Sequence, residues 1–295
     1  MSSQVLAAVG IPQIPVGDVF ADLIDWMTET FEATFEGIES VVSGSVEGLN
    51  GLLNAIPPIA LIVVLALLGT WLRGWKFGLF SLLGLGLIVS METWAPAMET
   101  LSLVLVASVI AVALAIPIGI LASQSEPVGK VVKPILDFMQ TMPAFVYLIP
   151  MVSIFSIGPV PGVVATVVFA MPPGVRLTEL GIRQVDREMV EAGEAFGASR
   201  EAILTRIQIP LALPSIMAGV NQVIMLSLSM VVIAGMVGAG GLGGVVYQGI
   251  TRLDVGLGFE GGLAVVLLAI FLDRVTAALG NRSAVARARR TAAKV

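Results

Sequence analysis

The stretch that determines the class of this protein is Glu191–Pro210, EAGEAFGASREAILTRIQIP, a charged segment in an otherwise apolar chain. Its pattern predicts two short helices joined at Gly197, because glycine takes the left-handed conformation that ends a helix at little cost. Asp186 is predicted to cap the first helix and Ser199 the second. Pro210 is predicted to begin a new chain direction. The two helices cannot bury their apolar side alone, which favours a docking surface over a solvated loop.

Composition predicts the membrane as the environment of this chain. Hydrophobic residues make up 57% of it, charged residues 13%, and the mean hydropathy is +0.97. The chain has no Cys and no His, so thiol chemistry, the usual zinc sites and histidine-based catalysis are excluded. Its only Gly-Lys pair, Gly129-Lys130, is followed by Val131 and not by Ser or Thr, so no phosphate-binding loop is predicted. We expect an all-α integral membrane protein that is not an enzyme and holds no cofactor.

Apolar segments long enough to cross about 30 Å of hydrocarbon recur along the chain. The fourth contains Pro143 and Pro150, and the fifth is predicted to end at Pro172-Pro173. The glycine-rich run Gly238–Gly244 is predicted to be a turn on the outer side. About seven transmembrane helices are therefore expected, at Ile56–Leu72, Phe77–Trp94, Leu101–Ala122, Pro134–Ile157, Val160–Met171, Ser215–Val237 and Gly261–Leu279.

A strongly amphipathic helix is predicted before the first span, over Asp18–Glu39, with one apolar and one acidic face. No Lys or Arg precedes Arg73, so the helix lacks the cationic face that draws such helices to anionic lipid. Packing against the outer rim of the protein is at least as favourable, and an ordinary surface helix remains an alternative. Met1–Gly17 lacks the features of a cleaved signal peptide, so the N-terminus is expected to be retained.

Basic residues fall on one side of the predicted spans, which the positive-inside rule identifies as the cytoplasm. Of the 16 basic residues only Arg252 is predicted on the other side, together with the acidic helix. We therefore expect a multi-pass protein of the cytoplasmic (inner) membrane, with its N-terminus outside and a basic tail over residues 280–295 inside. The same rule places Glu191–Pro210 in the cytoplasm.

Polar residues and prolines within the spans are the candidates for a transport pathway. Pro143 and Pro150 free the carbonyls of Met139 and Val146, which is tolerable at membrane depth only where protein or water satisfies them. For the uncharged residues, hydrogen bonding between helices is the first interpretation. Arg176 is a candidate for an inner gate, or for an ion pair with Glu179. The pathway or gate candidates are Gln140, Pro143, Tyr147, Arg176, Asn221 and Gln222.

The spacing within the charged segment resembles the signature loop of the membrane subunits of ABC importers. That loop reads Glu-Ala-Ala, three residues, Gly, nine residues, Ile, any residue, Leu-Pro, and this chain has Gly193 for the second Ala and Ile209 for Leu. The resemblance implies that the segment seats in a cleft of a cytoplasmic ATPase, which binds ATP and Mg in place of this chain. The matching positions are Glu191, Ala192, Gly193, Gly197, Ile207, Ile209 and Pro210.

Longer segments resemble the permease subunits of glycine betaine/proline betaine ABC importers. The resemblance implies a type I ABC importer permease fold with a five-span core at about 98–279, preceded by the segment 1–55 and two additional spans within 56–97. It also implies a second permease copy as homodimer partner, two ATPase subunits and an extracytoplasmic betaine-binding protein. The segments are Asp137–Pro150, Phe169–Ile182, Ala218–Gly243 and Leu272–Arg274.

A stand-alone secondary transporter or channel for a small polar solute is the alternative. It predicts an internal repeat and buried ionisable residues for ion coupling, whereas Asp137 and Asp273 are both predicted near the cytoplasmic boundary. Aromatic residues in the core are scattered, so selection of a quaternary ammonium solute is expected in the binding protein rather than in this chain.

Overall fold

A computed structural model describes residues 15–280, and all regular secondary structure in that range is helical. The expected basic tail and nearly all of the segment Met1–Gly17 lie outside the described residues. The helices are α1 Val16–Thr30, α2 Glu32–Ala55, α3 Pro58–Arg73, α4 Trp75–Ser90, α5 Trp94–Gln124, α6 Glu126–Thr141, α7 Ala144–Phe155, α8 Pro159–Arg183, α9 Arg187–Ala195, α10 Arg200–Ile203, α11 Ile209–Ala234, α12 Gly241–Thr251 and α13 Val255–Gly280.

The predicted amphipathic helix is two helices, α1 and α2, which meet at Phe31, and α2 continues to Ala55. The prediction ended it too early, because Val42 and Val46 extend the apolar stripe one and two turns further and are buried. The ring of Phe35 meets Phe155 of α7 edge-on, with ring centroids 5.7 Å apart. The α2 helix thus packs on the protein itself, while its acidic face remains exposed.

Helices α3 and α4 form a close pair at the edge of the core. Gly78 lies so near α3 that a β-carbon there would come within 1.8 Å of the Thr70 hydroxyl oxygen. The ring of Phe77 in α4 also stacks on Phe271 of α13, with centroids 6.1 Å apart. This contact attaches the additional pair to α13.

The centre of the fold is α8, which packs between α5 and α11. Gly119 of α5 and Gly181 of α8 allow these close approaches, since a β-carbon would come within 2.6 Å of Thr178 or 2.7 Å of Ser215, respectively. The prediction that α8 ends at Pro172-Pro173 is wrong, because the helix continues to Arg183 with both prolines inside it and buried. Neighbouring helices on both sides hold α8 together where its own hydrogen bonds are missing.

Four helical segments within residues 15–280 are long and apolar enough to cross a membrane, namely Trp94–Gln124, Pro159–Arg183, Arg200–Val237 and Val255–Gly280. The fourth predicted span is not one helix, because α6 and α7 meet at 99° across Met142 and Pro143. A bend of 101° likewise separates α2 from α3, and α4 is a shorter apolar helix. The count of seven spans therefore stays a prediction.

The glycine-rich run is only partly a turn. Gly238 and Gly240 have φ values of 93° and 78°, and helix α12, which the prediction missed, starts at Gly241. The Gly241 amide donates to the Glu99 carboxylate at 2.6 Å, and the Leu242 amide donates to the Thr100 hydroxyl at 2.8 Å. Side chains of α5 therefore cap α12 and fix where the turn ends.

Candidate functional site

The charged segment folds as a helix, a left-handed turn and a second helix, as its pattern predicts. Gly197 has a φ of 76°. Its amide donates to the Glu194 carbonyl at 2.9 Å, and the Ala198 amide donates to the Gly193 carbonyl at 3.0 Å. These two bonds form a Schellman motif, which satisfies the last carbonyls of α9. The Ser199 hydroxyl accepts a hydrogen bond from the Ala202 amide at 3.2 Å and so caps α10.

The prediction that Asp186 caps α9 through its side chain is wrong. Asp186 occupies the N-cap position, but its carboxylate accepts no hydrogen bond from the first turn. The residue is exposed, so the first amides of the helix do not require a protein acceptor.

Helix α9 packs closely on the residues that follow the turn, and the closest contact is between Gly193 and Ile207. A β-carbon on Gly193 would come within 2.8 Å of the Ile207 Cδ1 atom and 3.4 Å of the Ile203 Cγ1 atom. Gly193 and Ile203 are buried, whereas Glu191 and Ala192 are exposed. Helix α9 therefore packs on the residues that follow the turn, and the two halves of the segment form one compact unit.

The prediction that Pro210 starts a new direction is also wrong. The chain passes from α10 through a π-helical turn, Leu204–Gln208, directly into α11, and Pro210 lies in the first turn of α11. The proline is tolerated because the usual hydrogen-bond ladder is already interrupted by the π turn. The second half of the segment, Arg200–Pro210, is thus continuous with α11 in the long helical stretch Arg200–Val237.

Two apolar side chains of the helix–turn–helix unit, which comprises α9, the Gly197 turn and α10, are exposed. Phe196, next to the Gly197 turn, is 93% exposed, and Met189 on α9 is 48% exposed. Both lie on the short helix–turn–helix unit, so its apolar side is only partly covered by the segment's own Ile203, Leu204 and Ile207. Such an uncovered apolar side is typical of a protein–protein contact.

One ion pair joins α8 to α6, and one hydrogen bond joins α8 to α5. Arg176 of α8 pairs with Asp137 of α6 and not with Glu179, which corrects the predicted pairing. Glu179 instead pairs with Arg183 at 2.9 Å, one turn along the same helix. The Arg183 guanidinium also donates to the Ala122 carbonyl of α5 at 2.8 Å.

The elbow between α6 and α7 brings together two of the predicted pathway residues. Pro143 lies in the elbow, and the Tyr147 hydroxyl of α7 donates to the Met139 carbonyl of α6. The Tyr147 ring is buried and meets Phe169 of α8 edge-on, with centroids 5.8 Å apart. Gln140 is exposed in the last turn of α6. The carbonyl that Pro143 frees is therefore satisfied by protein, as the prediction required.

The two remaining candidates, on α11, lie apart from the elbow and differ from each other. The Asn221 amide donates to the Asp273 carboxylate at 3.0 Å, and its carbonyl oxygen accepts from the Thr276 hydroxyl at 2.6 Å. Asn221 thus joins α11 to α13, which agrees with interhelical hydrogen bonding as its first interpretation. Gln222 is exposed. Sequence reasoning missed Asp273 and Thr276 as partners, because nothing local marks a contact between distant helices.

The helical fold and the charged segment define a membrane permease, and comparison with known proteins identifies its family. Residues 115–285 match the family of binding-protein-dependent transport system inner membrane components, and the chain belongs to that family. It is 50% identical to the glycine betaine transport system permease protein OpuAB of Bacillus subtilis, over 90% of this chain and 94% of that protein. It is 46% identical to the glycine betaine/proline betaine permease protein ProW of Escherichia coli, over 92% of this chain and 76% of that protein.

Solved structures show the same fold. Two inward-facing forms of the MetNI methionine ABC transporter match with TM-scores of 0.56 and 0.59 at 24% and 23% identity. The matches cover 64% and 66% of this chain and 92% and 95% of those chains. The chain is therefore a multi-pass inner-membrane permease with the type I ABC importer fold, a transport component and not an enzyme.

Proposed function

We propose that this chain forms the translocation pathway of an ATP-driven importer for glycine betaine, proline betaine or related quaternary ammonium solutes. The relatives of 46–50% identity that are named for glycine betaine transport support this solute class. A zwitterion cannot cross bare hydrocarbon at low cost, so a polar path between protein surfaces is required. Two copies of the chain would enclose that path.

The observation that carries the coupling role is the exposed apolar side of the segment Glu191–Pro210. Phe196 is 93% exposed at the turn, and the unit behind it is compact through the Gly193–Ile207 contact. Because the π turn joins this unit directly to α11, a partner that binds the unit and moves would also displace α11. The partner we propose is a cytoplasmic ATPase subunit, which binds ATP and Mg while this chain binds neither.

The further partners follow from the family. Its description names binding-protein-dependent transport, so we propose an extracytoplasmic binding protein that selects and delivers the solute. We also propose that the permease acts as a homodimer, with the N-terminus outside and the C-terminus in the cytoplasm. In this arrangement Glu191–Pro210 lies on the side where ATP is available.

Reconstitution tests the proposal. The permease is purified with its ATPase, placed in lipid vesicles with ATP inside, and supplied outside with the binding protein and labelled glycine betaine. We expect uptake that requires all three proteins and ATP hydrolysis. Uptake by the permease alone, driven by an ion gradient, would support the stand-alone transporter instead. Methionine in place of glycine betaine serves as the solute control.

A further inference from the structure

One main-chain acceptor at the α6/α7 elbow has lost its helical donor. In a continuous helix the Met139 carbonyl would accept from the amide four residues later, but that residue is Pro143, which has no N–H. The Tyr147 hydroxyl donates to this carbonyl instead. Tyr147 belongs to α7 and Met139 to α6, so this one bond bridges the two helices across their 99° bend.

Packing holds the Tyr147 ring in a single place. The side chain is 5% exposed, and its edge-on contact with Phe169 ties it to α8. Tyr147 also belongs to a buried apolar cluster that includes Met230 and Ala234 of α11. On the far side of the elbow, Asp137 anchors α6 to Arg176 of α8. Both arms of the elbow are thus attached to α8, and α7 is also attached to α11, the helix that continues from the coupling segment.

We propose that Tyr147 is a positioning residue whose hydroxyl fixes the angle of the α6/α7 elbow. A displacement of α8 and α11 then moves α6 and α7 as one body. Without the hydroxyl, the Met139 carbonyl loses the donor that replaces the missing Pro143 amide, and we expect the elbow to change its angle until that carbonyl finds another donor. The transport consequence rests on the function proposed above, whereas the effect on the angle does not.

The angle can be measured directly, because the chain contains no native cysteine to remove. Spin labels on Val131→Cys in α6 and Ile149→Cys in α7, which are 62% and 67% exposed, report the distance across the elbow. We expect a narrow distance distribution in the otherwise wild-type permease and a broadened or shifted one with Tyr147→Phe. Tyr247→Phe removes the hydroxyl of the only other tyrosine, which is 40% exposed, and should leave the distribution unchanged.

A second substitution tests the mechanism. Pro143→Ala returns an amide donor to the position four residues after Met139, so Tyr147→Phe should broaden the distribution less in that background. Equal broadening in both backgrounds would mean that the hydroxyl acts through some group other than the Met139 carbonyl, and would overturn the proposed mechanism.

Measurements of glycine betaine uptake test whether Tyr147 also matters for transport. In reconstituted vesicles Tyr147→Phe should lower maximal glycine betaine uptake per folded transporter by at least about fivefold, with the half-saturating concentration unchanged. A purely structural hydroxyl would lower thermal stability but leave uptake per folded transporter intact. If the wild-type complex takes up no glycine betaine, the proposed function fails, and the spin-label distances still decide the role of Tyr147. A Tyr147→Phe distribution identical to that of the wild type overturns the inference.

Discussion

Gly193 and Ile207 touch so closely that a β-carbon on Gly193 would lie 2.8 Å from the Ile207 Cδ1 atom. The atom it would meet is the end of a flexible side chain, which can move aside. Alanine also favours the helix by roughly 1 kcal/mol over glycine. We therefore expect Gly193→Ala to preserve assembly with the ATPase and to change thermal stability little.

A larger side chain at position 193 cannot be accommodated by movement of the Ile207 side chain alone. Gly193→Leu should push α9 away from Ile207 and lower co-purification of the ATPase, with the permease still present in the membrane. Co-purification at a fixed detergent concentration measures the effect, and Gly193→Ala is the matched control. Equal ATPase recovery with Leu and Ala would show that close packing of Gly193 on Ile207 is not needed for docking.

Phe35 and Phe31 in the N-terminal helices differ in packing, so substitutions at the two positions can be compared directly. Phe35 packs against Phe155 of α7, whereas Phe31 is 45% exposed and meets only the nearby Trp26 ring among the ring contacts of residues 15–280. Phe35→Ser should therefore lower the thermal midpoint in detergent, by an amount that corresponds to about 2–4 kcal/mol. Phe31→Ser should lower the thermal midpoint less, and neutralising Glu29 and Glu36 together should lower it least. A larger effect of the Glu changes would mean that the helix acts by charge.

The Arg176–Asp137 pair joins α8 to α6 while partly exposed, with side-chain exposures of 36% and 54%. Because solvent screens such a pair, its direct contribution to stability is small, about 0–1 kcal/mol. We expect Asp137→Asn to leave thermal stability nearly unchanged but to lower uptake, since α6 loses its anchor on α8. The exchange Asp137→Arg with Arg176→Asp should recover part of the uptake, and no recovery would argue against a role for the pair itself.

Local chemistry was sufficient to predict the helix, turn and helix of Glu191–Pro210. The Gly197 turn and the Ser199 cap both follow from residues within a few positions of each other, as do most of the apolar segments. Several errors, above all at the prolines of the apolar helices, arose where tertiary packing overrides a local rule. Pro172 and Pro173 lie inside a helix that α5 and α11 enclose, whereas α6 ends at Thr141, before Pro143, and Tyr147 supplies the donor that Pro143 lacks. The Arg176–Asp137 pair joins residues 39 positions apart, for which sequence spacing gives no signal.

Membrane orientation is the prediction that rests on charge alone. A periplasm-active reporter fused after Asn54, at the end of α2, and a cytoplasm-active reporter fused after Val295 should both be active. If the fusion after Asn54 behaves as cytoplasmic, then the predicted orientation, and with it the count of seven spans, is wrong.

The coupling role of the segment Glu191–Pro210 is the central claim, and substitutions of Gly197 test it with little change to the packing of the rest of the protein. A β-carbon on Gly197 would meet no atom within 4 Å, so Gly197→Ala acts only through the left-handed backbone, at about 1–2 kcal/mol. The β-branched side chain of Val is still less compatible with the φ of 76°. Gly86 in α4 also has no atom within 4 Å of a β-carbon but lacks a positive φ, so Gly86→Val is the matched control.

The most direct measurement follows ATP hydrolysis and glycine betaine uptake together in vesicles that contain the permease, its ATPase and the binding protein. Gly197→Val should abolish solute-stimulated hydrolysis and uptake, Gly197→Ala should reduce them mildly, and Gly86→Val should leave both unchanged. Solute binding by the binding protein should be unaffected throughout. Wild-type uptake by Gly197→Val, with the ATPase still attached, would contradict the claim that this segment transmits the work of ATP hydrolysis to the membrane helices.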